Sequence, residues 1–191
     1  MKILTTLFLV FASAAFGIEK PGYEVLRKNG KIELRKYEDL PVVSAPMAGM
    51  NQRNDSFGQL FQYISGANAK QQKIKMTAPV FMEGSHKDRA PAKSGTMSFL
   101  IPSKVAMAGS PDPSGDGVNL GKINGGTIAA IRFKGWKSEA ARKAAIDDLQ
   151  DWVKSQGWKA DGQPFFAIYN PPWTPEFMRR NEVWLRVKPT R

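Results

Sequence analysis

Cysteine is absent from the 191 residues, and histidine occurs once, at His86. Without cysteine the chain can form neither disulfides nor thiolate metal sites, so packing alone must stabilise the fold. A single histidine outside any cluster argues against a Ser-His-Asp triad. The metalloprotease pattern HExxH, the Walker-type glycine loop and the dinucleotide fingerprint are missing as well. A hydrolase that uses Glu83, Glu176 or Glu182 stays open, although their spacing supports no paired acid and base.

Long apolar runs are missing beyond the first 17 residues, MKILTTLFLVFASAAFG. This stretch has a lysine, then about ten apolar residues, then small residues, which is the layout of a secretory signal peptide. An uncleaved membrane anchor is the alternative, but the run is shorter than the roughly 18–20 apolar residues that span a bilayer. We therefore expect a secreted, periplasmic protein that loses residues 1–17, or ends its signal peptide at Ala14. Residues 18–191 then have the size of one domain.

Acidic residues are too few to balance the basic ones, and the formal net charge is +11. A basic exported protein can meet anionic lipid, polysaccharide or an acidic ligand, and peripheral contact with an anionic membrane is one expectation. No nucleic-acid-binding motif occurs, so we expect no nucleic-acid partner. The simpler alternative is that lysines on solvated faces only keep the protein soluble.

The hydrophobic pattern predicts strands and two helices in a repeated order. Two alternating runs flank Asn29-Gly30, a pair that favours a tight hairpin turn. A first helix follows the apolar stripe of NDSFGQLFQYISG, which consists of Phe57, Leu60, Phe61 and Ile64. A second, longer helix begins after Ser138 and carries the stripe Ala141, Ala145, Leu149 and Trp152. Each half of the chain therefore reads strand, helix, strand, strand, with the hairpin in front.

Eight strands and two helices in this order predict an α+β fold. The strands should form an antiparallel sheet, curved or closed into a distorted barrel, with both helices packed against it. The stretch from Pro102 to about Asn124 is rich in Pro, Gly, Ser and Asp. We interpret it as an internal connection and not as a domain linker, because neither half alone has enough strands to close a core.

Three segments carry a resemblance to a known family: KIKMTAPV at 73–80, FLIPSK at 99–104 and YNPPWTPEFMRRNEVWL at 169–185. Together with the opening YEVLRKNGKIELRKYE, they resemble the SOUL haem-binding protein family, in order and over nearly the whole of 23–187. The resemblance implies two related halves that make a distorted antiparallel barrel flanked by two helices. It also implies that haem or another tetrapyrrole binds between the 169–185 loop and the first helix.

A porphyrin is a flat apolar disc with two carboxylates on one edge, so its site needs an apolar slot with basic groups at the rim. The resemblance and the residue types together nominate the ligand-binding residues Arg53, Phe57, Phe61, Met76, Trp173, Phe177, Met178 and Arg179. The apolar members would lie against the ring. The arginines, with Arg180 beside Arg179, would pair with the propionates.

No catalytic and no metal-ligating residue is expected. His86 lies in the polar loop GSHKDRA, which is typical of a solvated surface histidine. Haem iron usually takes His, Cys, Met or Tyr as its protein ligand, and spacing singles out none of these here. We therefore expect any haem complex to be held loosely, without a strong bond from the protein to the iron.

Architectural alternatives stand beside these assignments. Trp173 and Phe177 can plug one end of the barrel, and a loop arginine can pair with Glu176 or Glu182 to fix the loop. The stripe of the first helix is expected to serve mainly the core, because one helix face cannot meet both the sheet and a ligand.

Two other functions remain open beside tetrapyrrole binding. Because the broader superfamily of the resemblance includes effector-binding domains and hydrolases, the same cleft can belong to a small-molecule binder or an enzyme. The chain can also be an interaction module that docks through the aromatic loop 171–180.

Overall fold

The computed structural model of the chain describes residues 17–47, 53–84 and 95–190. The strands are β1 (Glu24–Asn29), β2 (Ile32–Tyr37), β3 (Leu40–Met47), β4 (Val80–Glu83), β5 (Gly95–Leu100), β6 (Asn119–Ile123), β7 (Gly126–Phe133), β8 (Trp158–Ala160), β9 (Phe165–Ile168) and β10 (Asn181–Pro189). The helices are α1 (Arg53–Ser65), α2 (Ser103–Met107) and α3 (Glu139–Ser155), and a 3₁₀ helix spans Glu176–Met178. The predicted signal peptide, except Gly17, and His86 lie outside the described residues. Within those residues, no helix is long and apolar enough to cross a membrane.

The predicted α+β class is confirmed, with strands in one antiparallel sheet and helices packed against it. The strands follow the order β1-β2-β7-β10-β9-β4-β5-β3-β6, and β8 pairs with β10 outside this path. Closure into a barrel does not occur among the described residues, because β1 and β6 form the two ends of the path.

Local signals for the hairpin and the two long helices are confirmed. Gly30 adopts a positive φ of 55° between β1 and β2, which is the conformation that a tight turn demands. The Ser138 hydroxyl accepts a hydrogen bond from the Ala141 N–H at 3.2 Å and so caps the start of α3.

The described part of the chain has ten strands and three α-helices, which is two strands and one helix more than the sequence predicts. β6 and α2 lie in the stretch that the sequence analysis interprets as a connection. β6 is short and polar, and it is a strand because β3 offers it an edge, from Leu40 opposite Ile123 to Ser44 opposite Asn119. β8 has three residues and pairs only with the end of β10. Partners rather than intrinsic propensity define such short strands.

The two halves interlock in the sheet. The first half is β3-α1-β4-β5 and the second is β7-α3-β9-β10, and they meet where β4 pairs with β9. β2 precedes the first half but pairs with β7 of the second, whereas β6 precedes the second half but pairs with β3 of the first. Neither half therefore has a complete sheet without a strand from the other.

Apolar side chains cover both faces of the sheet. On one face α1 packs on β3 and β5, while α3 packs on β7 and β10. On the other face a second apolar cluster surrounds Trp184, whose ring centroid lies 4.6 Å from that of Tyr37 and 5.2 Å from that of Phe81. Burial on both faces explains why β7 and β10 read as nearly continuous apolar runs.

Candidate functional site

The apolar stripe of α1 divides between the core and the solvent. Leu60 and Ile64 are buried in the core, as the sequence analysis expects for the stripe. Phe57 is 37% exposed and Phe61 is 51% exposed, and their rings stack with centroids 6.2 Å apart. Phe57 also meets Phe99 of β5 edge-on at 5.1 Å. The helix thus keeps one side for the sheet and offers a pair of stacked aromatic rings to solvent.

The loop from Tyr169 to Arg180, which joins β9 to β10, presents large apolar side chains outward. Trp173 is 83% exposed, Phe177 78% and Met178 62%. The alternative in which Trp173 and Phe177 plug a barrel end is therefore wrong. Exposure of three such side chains on one loop is unusual for a soluble surface and typical of a binding surface.

The loop has a fixed shape because its own polar groups are paired. Arg179 donates from Nε to the Thr174 carbonyl at 2.7 Å, and it also donates to the Pro172 carbonyl. Lys134 of the segment after β7 donates from Nζ to the carbonyls of Phe177 at 2.7 Å and Arg179 at 3.0 Å. Two N–H groups of the Arg179 guanidinium therefore donate within the loop, so fewer N–H groups are available to a ligand.

Strand register connects the loop to α1. Phe99 lies opposite Val80, Val80 opposite Ile168, and Ile168 opposite Asn181 at the end of the loop. Val80 and Ile168 are partly buried apolar residues at the base of the helix-covered face. Three strand spacings of about 4.8 Å separate the two ends of this row. We call the region between the exposed side chains of α1 and those of the loop the α1–loop surface.

Asn181 stands at the loop end of this row and has an unsatisfied side chain. The residue is buried, and among the described residues neither its Nδ2 nor its Oδ1 has a hydrogen-bond partner. An unmet buried amide costs about 1–3 kcal/mol. Because both atoms are enclosed by protein, this cost is a local destabilisation at the end of the loop.

A buried ionic cluster anchors the end of the loop. Glu182 is fully buried and accepts hydrogen bonds from five residues: Arg35 at 2.8 and 3.1 Å, Arg132 at 3.3 Å, Arg180 at 2.9 Å, Tyr169 at 3.1 Å and Trp184 at 2.8 Å. The architectural alternative for a loop arginine therefore holds for Arg180, whose guanidinium also lies 4.0 Å from the centroid of the Tyr169 ring. Arg35 is 1% exposed and bonds Glu33 through Nε at 2.8 Å as well.

The electrostatics of this cluster favour ionised Glu182 and neutral tyrosines. Burial raises the pKa of Glu182, but hydrogen bonds and charge attraction from Arg35, with further help from Trp184 and Arg180, outweigh burial and hold the pKa at about 2. Burial raises the pKa of Tyr37 and of Tyr169 above the ordinary value. A carboxylate with so many donors is a structural anchor, so Glu182 is unsuited to the hydrolase that the sequence leaves open.

Met76 is a predicted position that does not join these side chains. It lines a separate pocket that is formed with residues 17–19 and 102–105. Arg53 opens α1, but its side chain lies outside the described part of the chain, as does His86.

Comparison with known proteins places the whole chain in one family. The description "SOUL heme-binding protein" matches residues 18–186. The chain belongs to this SOUL family. The match covers both halves of the sheet, α1 and the loop.

Curated relatives of this SOUL-family chain are similar over most of their length. It is 29% identical to Heme-binding protein 2 of Homo sapiens over 186 residues, with 92% of this chain and 89% of the relative covered. It is 28% identical to Heme-binding protein 1 of Mus musculus over 160 residues, with 83% and 80% covered.

Solved structures share the fold of this SOUL-family chain at low sequence identity. The C-terminal domain of EcmrR has a TM-score of 0.63 at 14% identity and covers 87% of this chain and 98% of that domain. A hydrolase from Listeria innocua has a TM-score of 0.60 at 14% identity, with 85% and 94% covered. At this identity the likeness concerns the fold alone.

Apart from the pairing of a loop arginine with Glu182, sequence reasoning missed the buried cluster. Glu33 and Arg35 alternate with the apolar residues Ile32 and Leu34 in β2, a pattern that usually indicates a solvated face. Here that face is covered too, since β2 shows buried positions at five of its six residues. The available signal is the sequence NEVWLRV, where an isolated glutamate opens an otherwise apolar strand and must find a partner.

Proposed function

We propose that this SOUL-family protein binds a haem-like tetrapyrrole on the α1–loop surface. One observation carries the proposal. Ten large apolar side chains are exposed in the described part of the chain, and five of them lie on α1 and the loop: Phe57, Phe61, Trp173, Phe177 and Met178. The family description and the names of the curated relatives support the same ligand class.

The surface has the chemistry that a tetrapyrrole needs. Aromatic side chains and a methionine can lie against a flat apolar ring and remove their own apolar area from water. Arg53 at the start of α1 and the strongly positive net charge favour a dianionic ligand.

Contacts with the ring, and not a bond to iron, should hold the ligand. When haem is bound, its iron would supply whatever redox or ligand-binding chemistry the complex has. On the described part of the α1–loop surface, only the sulfur of Met178 belongs to the usual iron ligands, and it lies on an exposed side chain. We therefore expect that metal-free protoporphyrin binds about as well as haemin and that His86→Ala leaves the haemin affinity unchanged. A tenfold loss in His86→Ala would identify this histidine as an iron ligand.

Titration of the purified protein with haemin and with protoporphyrin, followed by Trp fluorescence and the Soret band, tests the proposal. Trp173→Ala and Phe61→Ala should each weaken both ligands, since each removes an aromatic contact with the ring. Met107→Ala is the matched control, because Met107 is 80% exposed on α2 and lies outside the surface. All three variants should keep the wild-type melting temperature. Wild-type affinity in both aromatic variants would place the ligand elsewhere.

Docking on an anionic membrane is a second candidate, favoured by the exposure of Trp173 and Phe177 on a basic protein. Phe61 distinguishes the two candidates, because it lies on α1 and a loop that inserts into a membrane does not require it. Sedimentation with anionic vesicles should then be lost in Trp173→Ala and retained in Phe61→Ala, with no effect of either change on haemin.

Export is part of the proposal and rests on the first 17 residues alone. We expect natively expressed protein to begin at Ile18, or otherwise at Ala15, and to be recovered from the periplasm. Intact-mass measurement decides this, and a membrane-bound protein that retains Met1 would contradict it.

A further inference from the structure

A concave region lies between the N-terminal segment, the segment 73–76 and α2. It is a pocket of about 590 Å³ whose apolar side chains are Ile18, Ile74, Met76, Pro102 and Val105. This volume is within the range of roughly 300–1,000 Å³ that small-molecule sites occupy. None of the exposed side chains of α1 or the loop lines it.

Three ammonium groups surround this apolar floor. Lys73, Lys75 and Lys104 all line the pocket and are exposed. None of the three forms an ion pair with a described residue, whereas Lys28, Lys31, Lys122, Lys143, Lys154 and Lys188 each do. The pocket therefore concentrates positive charge that the described residues do not neutralise.

The one carboxylate that lines the pocket is already engaged. Glu19 accepts from the backbone N–H of Ser103 at 2.8 Å and from its hydroxyl at 2.6 Å through the same oxygen, Oε1. A second pocket of about 510 Å³ shares Glu19 but has the opposite balance, since Glu24, Glu38 and Asp39 line it beside two lysines. Of these two pockets, the one of about 590 Å³ therefore combines an apolar floor with an excess of cations.

We call the pocket lined by Lys73, Lys75 and Lys104 the lysine pocket. Backbone hydrogen bonds fix its walls. Ile74 N–H donates to the Ile64 carbonyl of α1 at 2.8 Å, and Ala78 N–H donates to the Glu19 carbonyl at 2.9 Å. Val105 N–H donates to the Pro102 carbonyl at 2.9 Å. A ligand would find these walls already in place, which lowers the entropy cost of binding.

We propose that this lysine pocket binds a single-chain amphiphile with an anionic head, whose alkyl chain lies on Ile18, Ile74, Met76 and Val105 and whose head meets Lys73, Lys75 and Lys104. The head is a carboxylate, as in a fatty acid, or a phosphate monoester, since both offer oxygens to ammonium groups. The site is separate from the α1–loop surface and does not depend on tetrapyrrole binding.

Calorimetric titration with decanoate, decyl phosphate and decylammonium, each below its critical micelle concentration, tests whether the head group must be anionic. Decanoate and decyl phosphate should bind at one equivalent, and the tighter of the two identifies the source of the head group. Decylammonium should bind at least about tenfold more weakly, because its head meets three like charges and the only lining carboxylate, Glu19, is already hydrogen-bonded to Ser103. Equal binding of decylammonium, or no binding of either anion, would overturn the proposal.

Charge-reversal variants test whether the ligand binds in this pocket. Lys73→Glu combined with Lys104→Glu should weaken decanoate about tenfold or more. The control Lys154→Glu with Lys159→Glu makes the same change in net charge on α3 and β8, in the other half of the sheet, and should leave the affinity unchanged. Equal weakening in both would reduce the effect to net charge and contradict the proposal.

Two further variants separate this site from the proposed tetrapyrrole site. Ile18→Asp puts a carboxylate at an exposed wall and should abolish decanoate binding without affecting the melting temperature. Trp173→Ala should leave decanoate binding unchanged, whatever it does to haemin. Loss of decanoate binding in Trp173→Ala with retention in Ile18→Asp would move the amphiphile to the α1–loop surface. Failure of haemin to bind, with normal decanoate binding, would reject only the tetrapyrrole proposal.

Discussion

The two long helices occupy equivalent places on the two halves of the sheet, but they differ in how many large apolar side chains they expose to solvent. α3 has the core residues Ala145, Leu149, Trp152 and Val153 on its inner side and is further covered by β8 and tied to the first hairpin through Arg27–Gln156 and Lys31–Asp148. α1 has Phe57 and Phe61 open to solvent. α3 therefore contributes mainly stability, whereas α1 leaves a pair of aromatic side chains free for binding.

The same contrast recurs on the opposite face of the sheet. Phe81 and Ala167 pair where the halves meet, with Ser98 opposite the first and Glu182 opposite the second. Ser98 makes one neutral bond to the Ser44 hydroxyl at 2.8 Å. At the equivalent place, Glu182 collects three arginines and fixes the end of the loop. The internal symmetry thus preserves the backbone, while the chemistry of the two halves has diverged.

The largest effect expected from this contrast is on stability. Glu182→Gln should lower the free energy of unfolding by about 3–5 kcal/mol, because it leaves the buried Arg35 without its main counter-charge. Ser98→Ala, at the equivalent position, should cost only about 1 kcal/mol. Urea denaturation of the two variants measures the difference, and similar losses would show that the cluster contributes no more than a hydroxyl pair.

A second comparison concerns the helices themselves. Leu149→Ala in α3 should lower the free energy of unfolding by about 2–5 kcal/mol, since it opens a cavity in the core. Phe61→Ala in α1 should change it by no more than about 0.5 kcal/mol. Thermal and urea melts of both variants provide the measurement. A large loss in Phe61→Ala would mean that the ring supports the fold and is not reserved for a ligand.

Local patterns made the helices, the hairpin turn and the order of elements predictable. The Ser138 cap, the Asn29-Gly30 turn and the 3.6-residue stripe of α1 each depend on a few neighbouring residues. The exchange of β2 and β6 between the halves was not predictable, because it depends on which edges remain available in the finished sheet. For the same reason the sequence left open whether the sheet is curved or closed into a barrel, and the described strands form an open sheet with β1 and β6 at its ends.

Residue types alone indicated which loop is the candidate site, but they did not give the direction of its arginines. Arg179 and Arg180 are neighbours of the same type, yet one bonds carbonyls of the loop and the other bonds Glu182. Arg35 and Glu182 are 147 residues apart in sequence, so only strand register brings them together. Pairing at such a distance is invisible to periodicity or composition.

Acid should lower the stability of the fold through the protonation of Glu182. The folded pKa of Glu182 is lowered to about 2 from an ordinary value of 4.5. A lowered folded pKa stabilises the fold fully above the unfolded value, and that contribution is lost as pH falls through the folded value, amounting here to about 3 kcal/mol. Unfolding free energy should therefore fall between pH 4.5 and 2. Glu182→Gln should lose most of this pH dependence, whereas Ser98→Ala should keep it.

The smallest effects concern the two arginines that the sequence assigned to one role, Arg53 of α1 in the first half and Arg179 of the loop in the second. Arg179 donates to two loop carbonyls, so Arg179→Ala should loosen the loop and weaken haemin and a carboxylate-free porphyrin alike. If Arg53 pairs with a propionate, Arg53→Ala should cost on the order of 1.5–3 kcal/mol with haemin and nearly nothing with the carboxylate-free porphyrin. Fluorescence titration of both variants with both ligands measures this. If Arg179→Ala weakened the affinity for haemin only, the Arg179 guanidinium would contact a propionate. The loop of the second half would then contribute a charged contact to the site as well as aromatic ones.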